Sequence, residues 1–180
     1  MISKTALRAR MRALRRQLAA NCPDAAAQAA AQLPDLVACE TYALYHPVGS
    51  ELDPSPIHLA GARRALPVVI DRDAAMVFRL HGPSHPLVPD ALGIPAPAAG
   101  AAEVAPDVVF TPVLAFDRKG GRLGQGGGHY DRTIEALRAK KAVLVIGVAY
   151  AGQEVDEIPM EPHDQRLDAI LTETGYHAIR

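Results

Sequence analysis

The stretch "RKGGRLGQGGGHYDR", residues 118–132, holds six glycines between two basic clusters and closes on an Asp just ahead of a helical pattern. Glycine loses more backbone entropy on ordering than any other residue, so a dense run is either a flexible linker or a conformational requirement. The flanks favour the requirement. Before the run, "VVFTPVLAFD" carries a β-branched apolar segment, Val108 to Phe110, that reads as a buried strand. After it, "YDRTIEALRA" reads as a helix, with Ile134, Leu137 and Arg138 at spacings of three and four. Strand, glycine-rich turn and helix together offer backbone N–H groups to an anion at a helix N-terminus. Arg118, Lys119 and Arg122 add countercharge, and the stretch reads as an anion-binding loop. A glycine-rich hairpin without ligand is the competing account.

The loop matches neither common phosphate signature. It lacks the Gly-Lys-Ser/Thr ending of a P-loop, running instead Gly128-His129-Tyr130-Asp131. The dinucleotide fingerprint is met at Gly124 and Gly126, but His129 stands where its third glycine or alanine belongs. No acidic residue is well placed about twenty positions on.

Outward from the loop, the chain reads as α/β. "TYALYHP" (41–47) is a strand entering the turn-rich "VGSELDPSP", with a short helix expected around Ile57–Ala62. "LPVVID" and "AMVFRLH" are strands joined at Asp71–Asp73, and residues 82–106, rich in proline, read as a long irregular loop. "AVLVIGVAY" (142–150) is continuously apolar, which marks a central strand buried on both faces, and "DAILTET" reads as the last strand. The alanine-rich "DAAAQAAAQLPDL" is a helix that breaks near Pro34. Alternating strands and helices over 180 residues predict one domain, with a mainly parallel central sheet and helices on both faces. Ligands of such a sheet sit beyond the C-terminal ends of its strands.

A net charge of −1 and an ordinary apolar content point away from nucleic acid and membrane partners. Cys22 and Cys39 lack metal-type spacing and read as reduced cytosolic thiols. The first twenty residues carry six basic side chains and no acid, which also mimics an organelle transit peptide. On a helical wheel, however, Leu7, Met11, Leu14 and Leu18 form an apolar stripe with Ser3 as N-cap. Lys4, Arg8, Arg12 and Arg15 line the neighbouring face, as a solvated surface or as the partner of a polyanion.

The strand-end rule gathers further polar residues. Tyr45, His46 and Glu51 follow one strand, Tyr150 and Gln153 another, and Asp164 and Asp168 precede the last. Each has a structural reading: Glu51 as a helix cap, Asp131 as a first-turn acid, His46 and His163 as loop histidines. Together they describe a cleft with phosphate donors, basic anchors and two carboxylates suited to Mg²⁺.

These residues carry a resemblance. Lys4 and Arg8, "YHPVGSELD" (45–53), "RLGQGGGHYDR" (122–132), "VAYAGQ" (148–153) and "PHDQRLDAILTE" (162–173) resemble, in order and across nearly the whole chain, the 5-formyltetrahydrofolate cyclo-ligase family. The resemblance implies one cyclo-ligase domain over 1–180 and ATP- and Mg²⁺-dependent conversion of 5-formyltetrahydrofolate to 5,10-methenyltetrahydrofolate, through a phosphorylated formyl group. It implies nucleotide contacts from Lys4 and Arg8 and from the loop Arg122, Leu123, Gly124, Gln125, Gly126, Gly127, Gly128, His129 and Tyr130, with Lys4, Arg122 and Tyr130 catalytic. It places Mg²⁺ at Asp131 and Asp164, and folate against His46, Glu51 and Gln125 to His129. The expected protein is a cytoplasmic monomer acting on small molecules only, its first helix used by the site and not by a transit signal. His129 departs from the family's usual Tyr. A non-catalytic nucleotide- or folate-binding paralogue would be expected to have lost Lys4, Asp131 or Asp164. A sugar-phosphate isomerase or transferase would want a clearer acid/base pair than Glu51 provides.

Overall fold

The computed structural model describes residues 3–34, 39–82 and 84–179. Its frame is an eight-stranded sheet. Five strands run parallel: β1 (Thr41–Ala43), β2 (Arg63–Val68), β7 (Val108–Pro112), β10 (Leu144–Val148) and β11 (Ala169–Thr172). Antiparallel strands finish both edges: β3 (Val77–Leu80) and β6 (Glu103–Val104) beyond β2, and β12 (Gly175–Ala178) beyond β11. The spatial order is β12-β11-β10-β7-β1-β2-β3-β6. From β1 the chain proceeds to β2 on one side, and from β7 to β10 and β11 on the other. The order therefore reverses between β1 and β7, and a crevice opens at their C-terminal ends.

Alternation along the strands divides the core. Tyr42, Leu44, Phe110, Ile146 and Leu171 face one side, where Ala25 and Ala29 of α2 (Ala25–Gln32) cover them. Ala43, Val109, Val145 and Ile170 face the other, under Ile134 and Leu137 of α3 (His129–Arg138). Helices thus cover both faces, as predicted. The first helix, α1 (Lys4–Asn21), lies across the cleft end. Ser3 Oγ caps it by accepting from Ala6 N at 3.2 Å, and Leu7 and Met11 pack on Leu114, Leu123 and Ile158.

Several local expectations give way. No helix forms over 57–62: Pro54 and Pro56 interrupt the approach, Gly61 has φ +78°, and the segment is turns. Residues 82–106 are not a structureless loop. They hold a hairpin, β4 (Leu87–Pro89) with β5 (Pro95–Pro97), followed by β6. Prolines disguise this hairpin, yet in a two-stranded sheet every strand is an edge and tolerates them. Asp90 closes its turn, accepting from Leu92 N and Ile94 N through Oδ1, and ties it to β2 by accepting from Val69 N through Oδ2. The strand expected to be last is followed by β12. A second small hairpin, β8 (Ala115–Phe116) with β9 (Arg122–Leu123), separates β7 from the glycine loop. The alanine-rich helix ends before Pro34, and residues 35–36 of its expected span lie outside the described residues. Among the described residues, no helix is long and apolar enough to cross a membrane.

Candidate active site

A cleft of about 1140 Å³ opens at the C-terminal ends of β1, β2 and β7. It exceeds the usual size of a single small-ligand pocket, so it has room for two substrates. One wall is α1 and the glycine loop; the opposite wall includes Val69, Met76, Leu92 and Ile94, the last two from the β4–β5 hairpin. Every site residue implied by the family resemblance lines it: Lys4, Arg8, His46, Glu51, Arg122 through Asp131, and Asp164.

The glycines divide by purpose. Gly120 and Gly121 belong to the β8–β9 turn, remote from the cleft, where a Cβ on Gly120 would stand 2.7 Å from Leu167 O. Gly126 and Gly128 take φ +109° and +67°, values that L-residues adopt at a cost, and they bend the chain from β9 into α3. Among the described residues, the N–H groups of 125–128 donate to no other protein group, which leaves them available to an anion. Arg8 and Arg12 clasp this loop from α1. Arg8 Nε donates to Gly124 O at 3.0 Å, and Arg12 Nε to Gln125 Oε1 at 2.9 Å. The basic stripe of α1 is therefore a wall of the site.

Two ion pairs organise the acidic side. Arg122 Nη2 donates to Asp131 Oδ1 at 2.5 Å, and the same oxygen accepts from Gln165 N at 2.9 Å. Burial pulls the Arg122 guanidinium below its ordinary value, while Asp131 and Asp164 oppose that pull. Lys4 Nζ donates to Asp164 Oδ2 at 2.6 Å and lies 3.1 Å from Glu161 Oε2. Burial disfavours charge on both members of the Lys4–Asp164 pair. Their mutual hydrogen bond and attraction, with Glu161 acting on the ammonium and the Glu161 N–H on the carboxylate, together outweigh it, holding the ammonium above and the carboxyl below their usual ranges. Glu161, which sequence reasoning missed, joins His163 and Asp164 in a group whose ligand atoms lie within 4.8 Å of one another. Its only signal was its place two residues before His163 in "EPHD".

Across the cleft, Glu51 caps no helix. Its Oε2 accepts from Val48 N at 2.9 Å, and its Oε1 faces Arg15 Nη1 at 3.6 Å. Arg15, expected on the basic face beside the apolar stripe, is buried. Burial, with Glu51 nearby, drives the Tyr130 phenol far above its ordinary value, so it stays protonated and able to donate. His129 opens α3; burial first and Arg132 second hold its imidazole below the usual value, favouring the neutral ring. His46 Nδ1 is buried with no partner among the described residues, a polar atom left for a ligand on the cleft wall.

Five expected contributors lie elsewhere. Arg118 pairs with Glu154 and Lys119 with Glu157 on the exposed side of the β8–β9 hairpin. Gln153 is a buried strut, its Nε2 donating to Val113 O and Leu114 O at 2.9 Å. Asp168 precedes β11, at the N-terminal end of the parallel strands and away from the cleft, pairing with Arg138. Tyr150 packs in the core beside α2 and does not line the cleft.

Comparison with known proteins shows the family and the fold. The model of the 5-formyltetrahydrofolate cyclo-ligase family matches residues 1–173. The 5-formyltetrahydrofolate cyclo-ligase of Escherichia coli K12 is 35% identical over 175 residues, covering 92% of this chain and 96% of that one. The enzyme of that name from Mycolicibacterium smegmatis is 39% identical over 158 residues, covering 78% and 77%. Among solved structures, the 5,10-methenyltetrahydrofolate synthetase of Aquifex aeolicus superposes with a TM-score of 0.77 at 28% identity, over 99% of this chain and 94% of that one.

Proposed function

The chain belongs to the 5-formyltetrahydrofolate cyclo-ligase family, and we propose that its cleft closes 5-formyltetrahydrofolate to 5,10-methenyltetrahydrofolate at the expense of ATP. One observation carries the reading: an anion-ready glycine loop, the Lys4–Asp164 and Arg122–Asp131 pairs and the buried Glu51 line a single cleft.

The chemistry explains why those residue types are needed. A formyl oxygen on nitrogen is a poor leaving group. Transfer of the γ-phosphoryl group onto that oxygen, with ADP departing, turns it into a good one. N10 then attacks the formyl carbon, the ring closes, the C–O bond breaks, and phosphate leaves as N10 sheds its proton. Phosphoryl transfer requires alignment and charge neutralisation and makes little demand for a covalent side chain. Lys4, Arg8 and Arg122 supply the cationic charge, and the loop from Arg122 to Tyr130 cradles the phosphates. Tyr130 donates its phenolic proton as a hydrogen bond into the site. His46, Glu51 and Gln125 to His129 face the folate, with Glu51 accepting from pterin N–H donors. Asp131 and Asp164 are the carboxylates for Mg²⁺, and these hard oxygens fit it. When bound, Mg²⁺ neutralises phosphate charge beside the nucleotide. With imidazole in place of the family's Tyr, His129 keeps a planar surface able to stack or donate. The protein acts as a cytoplasmic monomer on small molecules, without nucleic acid or membrane partners.

Purified protein given 5-formyltetrahydrofolate, ATP and Mg²⁺ is expected to form the methenyl chromophore with one ADP per turnover. Equal rates without nucleotide, or no product with it, would overturn the reading.

A further inference from the structure

We infer that Arg15 is a positioning residue for Glu51, holding that carboxylate ionised and correctly aimed for the folate; the inference rests on the reading of Glu51 as the pterin acceptor. Arg15 lies on α1 outside every motif that carried the family resemblance. Its side chain is 7% exposed and that of Glu51 is 9%, with Nη1 and Oε1 3.6 Å apart. Its Nε donates to Ser50 Oγ at 3.2 Å, so one planar guanidinium grips two successive residues of the loop after β1. Glu51 Oε2, turned the other way, accepts from Val48 N. The carboxylate is thus fixed from two directions in one orientation.

The surroundings explain why fixing is needed. The groups facing Glu51 are Arg15 from α1, Tyr45 from the end of β1 and Tyr130 from α3. Tyr45 is buried and Tyr130 half-buried, both stay neutral, and the Tyr45 hydroxyl is committed to Leu52 O. Arg15 is the sole cation among them. Burial pushes the Glu51 carboxyl above its usual range, and the Val48 N–H and Arg15 oppose that push. Removing the guanidinium leaves burial less opposed, so the carboxyl takes up its proton at a higher pH. A protonated Glu51 has lost the charge that binds paired N–H donors strongly. Arg15 thus acts on the folate through Glu51, and its side chain bonds Ser50 and pairs with Glu51, not with the glycine loop.

Arg15→Met keeps the length and apolar stem. Folate binding by titration calorimetry between pH 6 and 8 is expected to weaken by about tenfold or more, the scale of a hydrogen bond to a charged group. The weakening should deepen as pH falls, with the acid limb displaced to higher pH than in the parent protein. KM for 5-formyltetrahydrofolate should rise in parallel, while KM for ATP and kcat at saturating folate stay within about twofold. In a Glu51→Gln background, Arg15→Met should add little to the loss of folate affinity. Arg15→Lys restores the charge without the fork and should return the acid limb to its original position. If Arg15→Met does not fold, Arg15→Lys decides alone, since an acid limb displaced to higher pH despite the retained charge overturns the inference. Unchanged folate affinity in Arg15→Met, or equal losses of folate and ATP affinity, also overturns it. Calorimetry needs no turnover, so a protein that binds folate but fails to cyclise it defeats the activity proposal and still tests this one. A parent protein that binds no folate defeats both.

Discussion

Asp131→Asn is expected to lower kcat by about 10²–10³-fold, the usual effect of removing one electrostatic contact from a reacting site, and to destabilise the protein as well. The second effect follows from Arg122. Its guanidinium side chain is 4% exposed and its charge is answered by Asp131 Oδ1 at 2.5 Å. An amide leaves that charge buried without its hydrogen-bonded anion, a loss of about 3 kcal/mol. For a chain of this size the thermal midpoint should fall by roughly 6–12 °C. Asp164→Asn should separate the two effects. Its partner Lys4 keeps 17% of its side chain exposed, and an amide oxygen still accepts from Glu161 N. The stability loss should therefore stay under about 1 kcal/mol, while activity falls comparably, and raised Mg²⁺ should partly restore the weaker lesion. Activity and midpoint measured on the same preparations decide the matter. Normal activity per folded molecule in either variant would remove that aspartate from the metal site.

Lys4→Ala and Arg8→Ala are expected to weaken ATP binding by about tenfold or more each, through loss of charge-assisted hydrogen bonds to phosphate. Arg8→Ala should be the broader lesion, because its Nε also holds Gly124 O and its guanidinium lies beside Gly126. Neither change should unfold the protein. Lys4 stands in the first turn of α1, where no acid is present and the helix dipole disfavours a cation, so its removal relieves one unfavourable term as it breaks the pair with Asp164. Calorimetric titration with ATP tests both. Unchanged affinity in both variants would return the basic stripe to a surface role.

The sheet was legible because its signals are local. Continuous apolar runs at Val108 and Leu144 become the adjacent central strands β7 and β10, and Ser3 caps α1 as its side chain suggests. The cleft was legible because strand ends bring Tyr45–His46 and Pro112–Leu114 together at the switch point. What escaped depends on partners distant in sequence. Arg15 looks like its exposed neighbours until Glu51 and Ser50 close over it. Arg118 and Lys119 read as countercharge for the loop, but the β8–β9 hairpin turns them toward Glu154 and Glu157. The β4–β5 hairpin was hidden by prolines, although its "DALG" turn was a usable signal, and with it went Leu92 and Ile94 of the cleft wall. Periodicity reports which face a residue occupies; it does not report what arrives to cover it.

The central claim, that the cleft activates the formyl oxygen by phosphoryl transfer, is tested most directly by the fate of that oxygen. Substrate carrying ¹⁸O in the formyl group should be converted with ATP and Mg²⁺, and the released phosphate analysed by mass spectrometry. The account requires one ¹⁸O atom in each phosphate, because the C–O bond breaks after the P–O bond has formed. Unlabelled phosphate, with ¹⁸O appearing in water while methenyl product accumulates, would contradict it.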